Sequence, residues 1–284
     1  MTIPAPLWLV ANRASGSNDE AALAALIEEL NAAGHNPARV IDCAAECLPS
    51  HLTLEQAGVA TLVVFTGDGT LSALLPPLEG WPGQVLVLPG GTMNLLAKML
   101  HATCENDAII AAFAAGRAEV VRRTCVRSPG HVALCEVLAG PGAKWSDVRE
   151  GLRDHDLTAV ASTAFEAVKD GAAAGAMVQV VGPALGNAEG YAGVRIVPQT
   201  AGLMVDGYRS DGFADYLKQG LALIKRDFRD GPHDELGVHS EIRCRAVDGT
   251  PIDLMFDGER RSGDVEERFS LATLAVNLLA TRHA

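Results

Sequence analysis

Short apolar runs alternate with helical patterns over the first third of the chain. Residues 7–11, 61–65 and 85–88 are near-continuous apolar runs of strand length, the form a parallel strand takes when both of its faces are covered. After the first run, Ser17 and Glu20 have the spacing of a capping box. Leu23, Leu26, Ile27 and Leu30 then recur at helical period, and Gly34 stands where a helix C-terminus favours a left-handed residue. A second helix is expected from Thr92 and a third over residues 105–115, closed by Gly116. Strand, helix, strand, helix is the order of a doubly wound parallel sheet.

Near Val120 the pattern changes. Segments 120–127, 132–139, 177–181, 194–197, 238–247 and 252–256 read as strands, separated by turns rich in Gly, Pro and Asp. Helical interruptions are expected at 145–153, 159–169 and 213–228. The apolar run 269–279 is expected to return to the first domain. The division that follows is an α/β domain over residues 1–122, joined by 269–284, and a mostly β domain over 123–268.

The length of 284 residues suits two domains of ordinary size. A net charge of −12 argues against a sequence-independent grip on nucleic-acid phosphates, so no nucleic-acid partner is expected. The six cysteines are scattered, as reduced cytoplasmic thiols are. Residues 1–9 lack a basic residue and contain Pro4 and Pro6, unlike a signal peptide. The uncharged run 171–188 is interrupted by Gln179, Pro183 and Asn187, so no transmembrane segment is expected.

Candidate chemistry lies in three glycine-containing turns, each directly after a strand of the first domain. They are Asn12-Arg13-Ala14-Ser15-Gly16, Thr66-Gly67-Asp68-Gly69-Thr70 and Pro89-Gly90-Gly91-Thr92-Met93-Asn94. In a parallel sheet such turns gather at the carboxyl ends of the strands, where open α/β folds bind ligands. Glycine lets backbone N–H groups come close to phosphate oxygens, and Asp68 is placed to hold Mg²⁺ or a ribose hydroxyl. Each turn alone is also what an ordinary strand-to-helix loop looks like. No GxxxxGK[ST], no GxGxxG after the first strand and no GxSxG occurs, which leaves out the P-loop, the dinucleotide fingerprint and the hydrolase elbow. Cys43, Cys47 and His51 would align three soft ligands on a continuous helix, but Pro49 interrupts it and free thiols are the better reading.

In order, spacing and strand context the three turns resemble the diacylglycerol kinase catalytic domain family, which includes bacterial lipid kinases and sphingosine kinases. Its pattern is Asn-Pro-x-Ser-Gly, then Gly-Gly-Asp-Gly-Thr, then Pro-x-Gly-Thr-x-Asn. Phe256-Asp257-Gly258-Glu259 resembles the family's Asp-Gly-Glu motif, and Val197-Pro198 followed by Asp206-Gly207 resembles its Pro…Asp-Gly segment. The chain departs from the pattern at Arg13, at Thr66, over 127–175 and at Tyr208-Arg209.

The resemblance implies an α/β nucleotide-binding domain of the NAD kinase and diacylglycerol kinase type with a β-sandwich-like second domain. It implies ATP- and Mg²⁺-dependent phosphorylation of a lipid hydroxyl, such as that of diacylglycerol, in a cleft between the domains. Asn12, Ser15, Gly16, Thr66, Gly67, Asp68, Gly69, Thr70, Gly91, Thr92 and Asn94 are then the nucleotide-binding residues, with Asp68 also the metal ligand. Asp257 is expected to act as general base with Glu259 beside it, both on one side if 256–259 ends a strand; on local sequence alone the same residues fit a solvated turn. The expected location is the cytoplasm with transient attachment to a membrane surface, and a homodimer is compatible with it. Two other readings stay open. One is an NAD kinase, which shares the Gly-Gly-Asp-Gly-Thr turn but pairs it with an Asn-Glu motif not found here. The other is a catalytically silent nucleotide- or lipid-binding regulator.

Overall fold

The computed structural model describes residues 6–12, 19–144, 177–209 and 233–282. The chain divides into two compact units, Met1–Arg123 with Thr273–Ala284 and Thr124–Ala272. The expected helical stretches at 145–153, 159–169 and 213–228 lie outside the described residues, as do Arg13, Ser15, Gly16 and Ser17.

The first unit runs β1 (Leu7–Ala11), α1 (Glu20–Ala32), β2 (Arg39–Asp42), α2 (His51–Gln56), β3 (Thr61–Thr66), α3 (Asp68–Leu74), β4 (Gln84–Pro89), α4 (Leu95–Leu100), α5 (Asn106–Ala114) and β5 (Glu119–Val121). The last strand of the chain, β18 (Asn277–Ala280), completes it. Its sheet has the order β2-β1-β3-β4-β18-β5, parallel throughout except where β5 pairs antiparallel with β18. Residues of β1 and β3 are buried along their whole length, which is why they read as unbroken apolar runs. β2 has only Ile41 buried and so carries no run that the sequence could show.

The helix ends differ from the expected ones. Asp19, not Ser17, caps α1: its carboxylate accepts the Ala22 N–H at 2.8 Å, and Glu20 is the first helical residue. Gly34 follows the helix at φ +81°. α4 starts at Leu95 rather than Thr92, because Asn94 before it is left-handed at φ +51°. His51 opens α2 after a turn, so Cys43, Cys47 and His51 share no helix, and the described residues contain no cluster of three His, Cys, Asp or Glu suited to a metal.

His101, at the end of α4, ties this unit together. The Val87 carbonyl can only accept, so Nε2 donates to it at 2.8 Å while Nδ1 accepts from the Thr281 hydroxyl at 3.0 Å. Burial pushes the imidazole below its usual range, against the pull of the Val87 hydrogen bond. A depressed folded-state value means stability that is complete above the unfolded value of about 6.5 and is lost as pH falls through the folded one. The melting temperature is therefore expected to drop as the pH falls below the unfolded value of about 6.5, and His101→Asn should flatten that slope. An unchanged slope in the variant would assign the acid sensitivity elsewhere.

The second unit holds β6 (Thr124–Ser128), β7 (His131–Ala133), β8 (Val137–Ala139), β9 (Val178–Gly182), β10 (Ala184–Leu185), β11 (Gly193–Gln199), β12 (Gly202–Tyr208), β13 (Asp234–His239), β14 (Glu241–Ala246), β15 (Asp253–Phe256), β16 (Glu259–Ser262) and β17 (Glu266–Thr273). They form two six-stranded sheets, β10-β9-β14-β17-β6-β7 and β13-β12-β11-β8-β15-β16. One apolar core draws on both, with Val126, Ile242, Cys244 and Phe269 from the first and Val194, Ile196, Val205 and Leu254 from the second. Phe269 thus stays in this unit. The return to the first unit begins at Thr273, not at residue 269, because β17 must first complete its pairing with β14. The expected single strand 120–127 is two strands, β5 and β6, which belong to different units.

Candidate active site

In the first unit the strand order reverses between β1 and β3, since β2 lies beyond β1 on one side and β4 beyond β3 on the other. At such a switch point the connections leave in opposite directions and open a crevice at the carboxyl ends of the strands. The residue after β1 and the turn after β3 meet there: Asn12 Nδ2 donates to Thr70 Oγ1 at 3.3 Å. Cys43, the residue after β2, joins them through a hydrogen bond between its side chain and Thr70, while burial pushes its thiol up. Sequence reasoning left Cys43 out of this group because β2 gives no apolar run to mark the strand end.

The turns after β3 and β4 are locked to each other. A Cβ on Gly91 would stand 2.5 Å from the Gly67 Cα, so only glycine lets the two backbones touch. Asp68 is the first residue of α3, and its carboxylate reaches across to the start of α4, where Oδ2 accepts the Leu95 N–H at 3.1 Å and Oδ1 the Leu96 N–H at 3.3 Å. Asn94 holds the same turn from within: the Gly91 N–H donates to its Oδ1 at 2.7 Å, and its Nδ2 donates to the Gly91 carbonyl at 2.8 Å. Asparagine tolerates the left-handed conformation this requires. Thr66 is 1% exposed and donates to the Gly67 carbonyl at 3.3 Å, so its hydroxyl faces its own turn, whereas Thr92 is exposed. Of the expected nucleotide-binding residues, Asn12, the stretch from Thr66 to Thr70, Gly91 and Asn94 are therefore brought together.

Asp68 is a hinge pin between two turns as well as a charge. The Leu95 and Leu96 N–H groups each take one acceptor position on a carboxylate oxygen, and such an oxygen carries two lone pairs. Mg²⁺ in nucleotide enzymes is commonly held by one or two carboxylates plus substrate phosphates. Among the described residues there is no cluster of three His, Cys, Asp or Glu to hold a resident metal, whereas a carboxylate such as that of Asp68 fits a metal that arrives with a nucleotide.

In the second unit, Asp257 and Gly258 form the two-residue connection of the β15–β16 hairpin, at φ +48° and +90°, with Phe256 paired to Glu259. Positive φ at both positions is the type I′ pattern that Asp-Gly serves. The turn changes the expected picture. Asp257 and Glu259 flank a reversal of the chain and do not ride along one strand, so period-two reasoning does not apply to them. Asp257 is 4% exposed, and its carboxylate accepts the N–H groups of Leu134 at 2.7 Å, Cys135 at 2.8 Å and Glu136 at 2.9 Å. Its own N–H donates to the Glu136 carbonyl at 3.0 Å. Asp257 is thus built into the β7–β8 connection, while Glu259 is half-buried at the start of β16. Arg260, beside the motif, pairs with Asp253 at 3.1 Å.

Residues 6–126 match the model of the diacylglycerol kinase catalytic domain. No curated relative matches the sequence. Among solved structures, a diacylglycerol kinase from Bacillus anthracis str. Sterne aligns with a TM-score of 0.64 at 15% identity, covering 97% of this chain and 96% of that one. A second structure from the same organism, provisionally described as a diacylglycerol kinase, aligns at 0.66 and 14% identity, covering 97% of each chain. At such identities the likeness shows the α/β fold with its added β structure. No helix among the described residues is long and apolar enough to cross a membrane.

Proposed function

We infer that this chain, whose residues 6–126 match the diacylglycerol kinase catalytic domain, is an ATP-dependent kinase that phosphorylates a lipid hydroxyl such as that of diacylglycerol. The observation that carries this reading is the Asp68 bridge to Leu95 and Leu96. It fixes the turns after β3 and β4 as one rigid edge of the crevice at the β1/β3 switch point.

Phosphoryl transfer needs positioning and charge neutralisation more than covalent chemistry. On this reading, the turns carrying Asn12, Ser15, Gly16, Gly67, Gly69, Thr70, Gly91 and Thr92 bind the nucleotide phosphates, with Thr66 and Asn94 shaping them. Asp68 holds the Mg²⁺ that accompanies ATP, and that ion supplies charge neutralisation at the transferring group. Asp257 is the base the sequence leads one to expect, but its carboxylate accepts three backbone N–H groups, so on this reading Glu259 takes the proton and Asp257 positions it. The cysteines are all free thiols, in keeping with a cytoplasmic enzyme that meets its lipid transiently at a membrane surface.

ATP with Mg²⁺ should raise the melting temperature, since a ligand bound only by the native state stabilises it by about 2.7 kcal/mol at a hundredfold excess over Kd. The shift should shrink in Asn12→Ala, which removes one of the two side chains that hydrogen-bond Thr70. A folded chain with no shift at millimolar ATP and Mg²⁺ would rule out a nucleotide site.

A further inference from the structure

We propose that Arg195 is a positioning residue for the Asp257–Glu259 hairpin, acting along a chain of contacts that follows the sheet strand by strand. Arg195 on β11 faces Asp206 directly across the β11–β12 pair, with NH1 to Oδ2 at 3.6 Å. On its other side Arg195 Nε donates to Glu136 Oε2 at 2.9 Å. Glu136 immediately precedes β8, and its backbone exchanges hydrogen bonds with Asp257, the N–H of each donating to the other residue. Asp257 in turn sets the start of β16, where Glu259 lies. The path Asp206, Arg195, Glu136, Asp257, Glu259 therefore runs from β12 and β11 through the residue before β8 and the β15–β16 turn to β16, following the order of these strands in the sheet.

The triad is drier than a surface ion pair. The side chains of Arg195, Glu136 and Asp206 are 19%, 22% and 8% exposed. The Tyr208 hydroxyl hydrogen-bonds Arg195, and burial pushes it up to about 12, so at neutral pH it adds no charge. Burial raises Asp206 as well, with Arg195 pulling it back. Ion pairs this deep contribute little net stability compared with packed apolar side chains, and their best-attested use is to fix one arrangement among several. Here the arrangement fixed is that of Glu136, whose main chain carries the hairpin. Glu136 would otherwise be free to choose rotamers, and its N–H and carbonyl would hold Asp257 less tightly.

The kinetic part of the test rests on the kinase reading; the exchange part does not. In Arg195→Met, lipid phosphorylation should fall by up to ~10²-fold, the scale of a small misplacement at a reacting centre, while the ATP-induced melting shift stays as in wild type. Combined with Glu259→Gln, the loss should be no larger than for Glu259→Gln alone, because the two act through one group. Losses that multiply would overturn the proposal. Amide hydrogen exchange at Leu134, Cys135 and Glu136 should accelerate in Arg195→Met, with Leu95 and Leu96 unaffected; unchanged protection at 134–136 would also overturn it. If Arg195→Met does not fold, Asp206→Asn, which releases the far end of the triad, is read in the same two ways. A wild-type chain that phosphorylates no lipid removes the kinase reading, and exchange then decides the positioning role by itself.

Discussion

Asp68→Asn is expected to lower phosphoryl transfer by ~10²-fold or more, the scale seen when one transition-state electrostatic contact is lost. It should also loosen the protein. The carboxylate receives one backbone N–H on each oxygen, from Leu95 and Leu96. An amide keeps one acceptor and turns a donor toward the other N–H, so one charge-assisted hydrogen bond of about 1.5–3 kcal/mol is lost. The two effects separate in measurement. Saturating ATP should restore part of the melting temperature, yet kcat should stay low because the missing charge acts on the transition state. Unchanged kcat in the folded variant would leave Asp68 the role of a hinge pin alone.

Asp257→Asn is expected to unfold the second unit more readily than it alters chemistry. Asparagine accepts the left-handed backbone as readily as aspartate, so the substitution isolates the side chain. Asp257 accepts three backbone N–H groups, with Leu134 and Cys135 buried around it. An amide cannot satisfy all of them, and stranding buried donors costs about 1–3 kcal/mol each. With Oδ1 kept for Cys135 and Glu136 the Leu134 N–H is stranded, and unfolding in denaturant should therefore shift by about 1–3 kcal/mol. Glu259→Gln should do the opposite, leaving stability within about 0.5 kcal/mol as surface changes do and reducing kcat with ATP affinity intact. If Asp257→Asn is as stable as wild type but inactive, Asp257 itself is the base and Glu259 its neighbour.

Physical differences decided which parts of this molecule could be read from the chain. β1, β3 and β4 are flanked on both faces, so burial wrote itself as continuous apolar runs. The turns after them stood out because close backbone approach, as between Gly67 and Gly91, admits only glycine. β2 and β12 were missed for the converse reason. β2 buries one side chain, and β12 carries Asp206 and Gly207 inside what would otherwise be an apolar strand. The mutual role of Asp68 and α4 joins residues 27 positions apart, and Asp257 reaches back 123 positions to Leu134. Local pattern holds no trace of such pairings. It could mark both aspartates as unusual, but it could not show that each accepts hydrogen bonds from distant backbone N–H groups.

The central claim is that the chain moves a phosphoryl group from ATP to a lipid hydroxyl, and transfer of label tests it most directly. The purified protein is incubated with γ-labelled ATP, Mg²⁺ and mixed micelles containing diacylglycerol, monoacylglycerol or a sphingoid base, with NAD in a parallel reaction. Label is expected in an organic-extractable product of at least one micelle reaction, and that label should be lost in Asp68→Asn. Label found only in NAD would favour a nucleotide kinase, and ATP bound with no label in any acceptor would make the chain a silent nucleotide-binding regulator; either result would contradict the lipid kinase account.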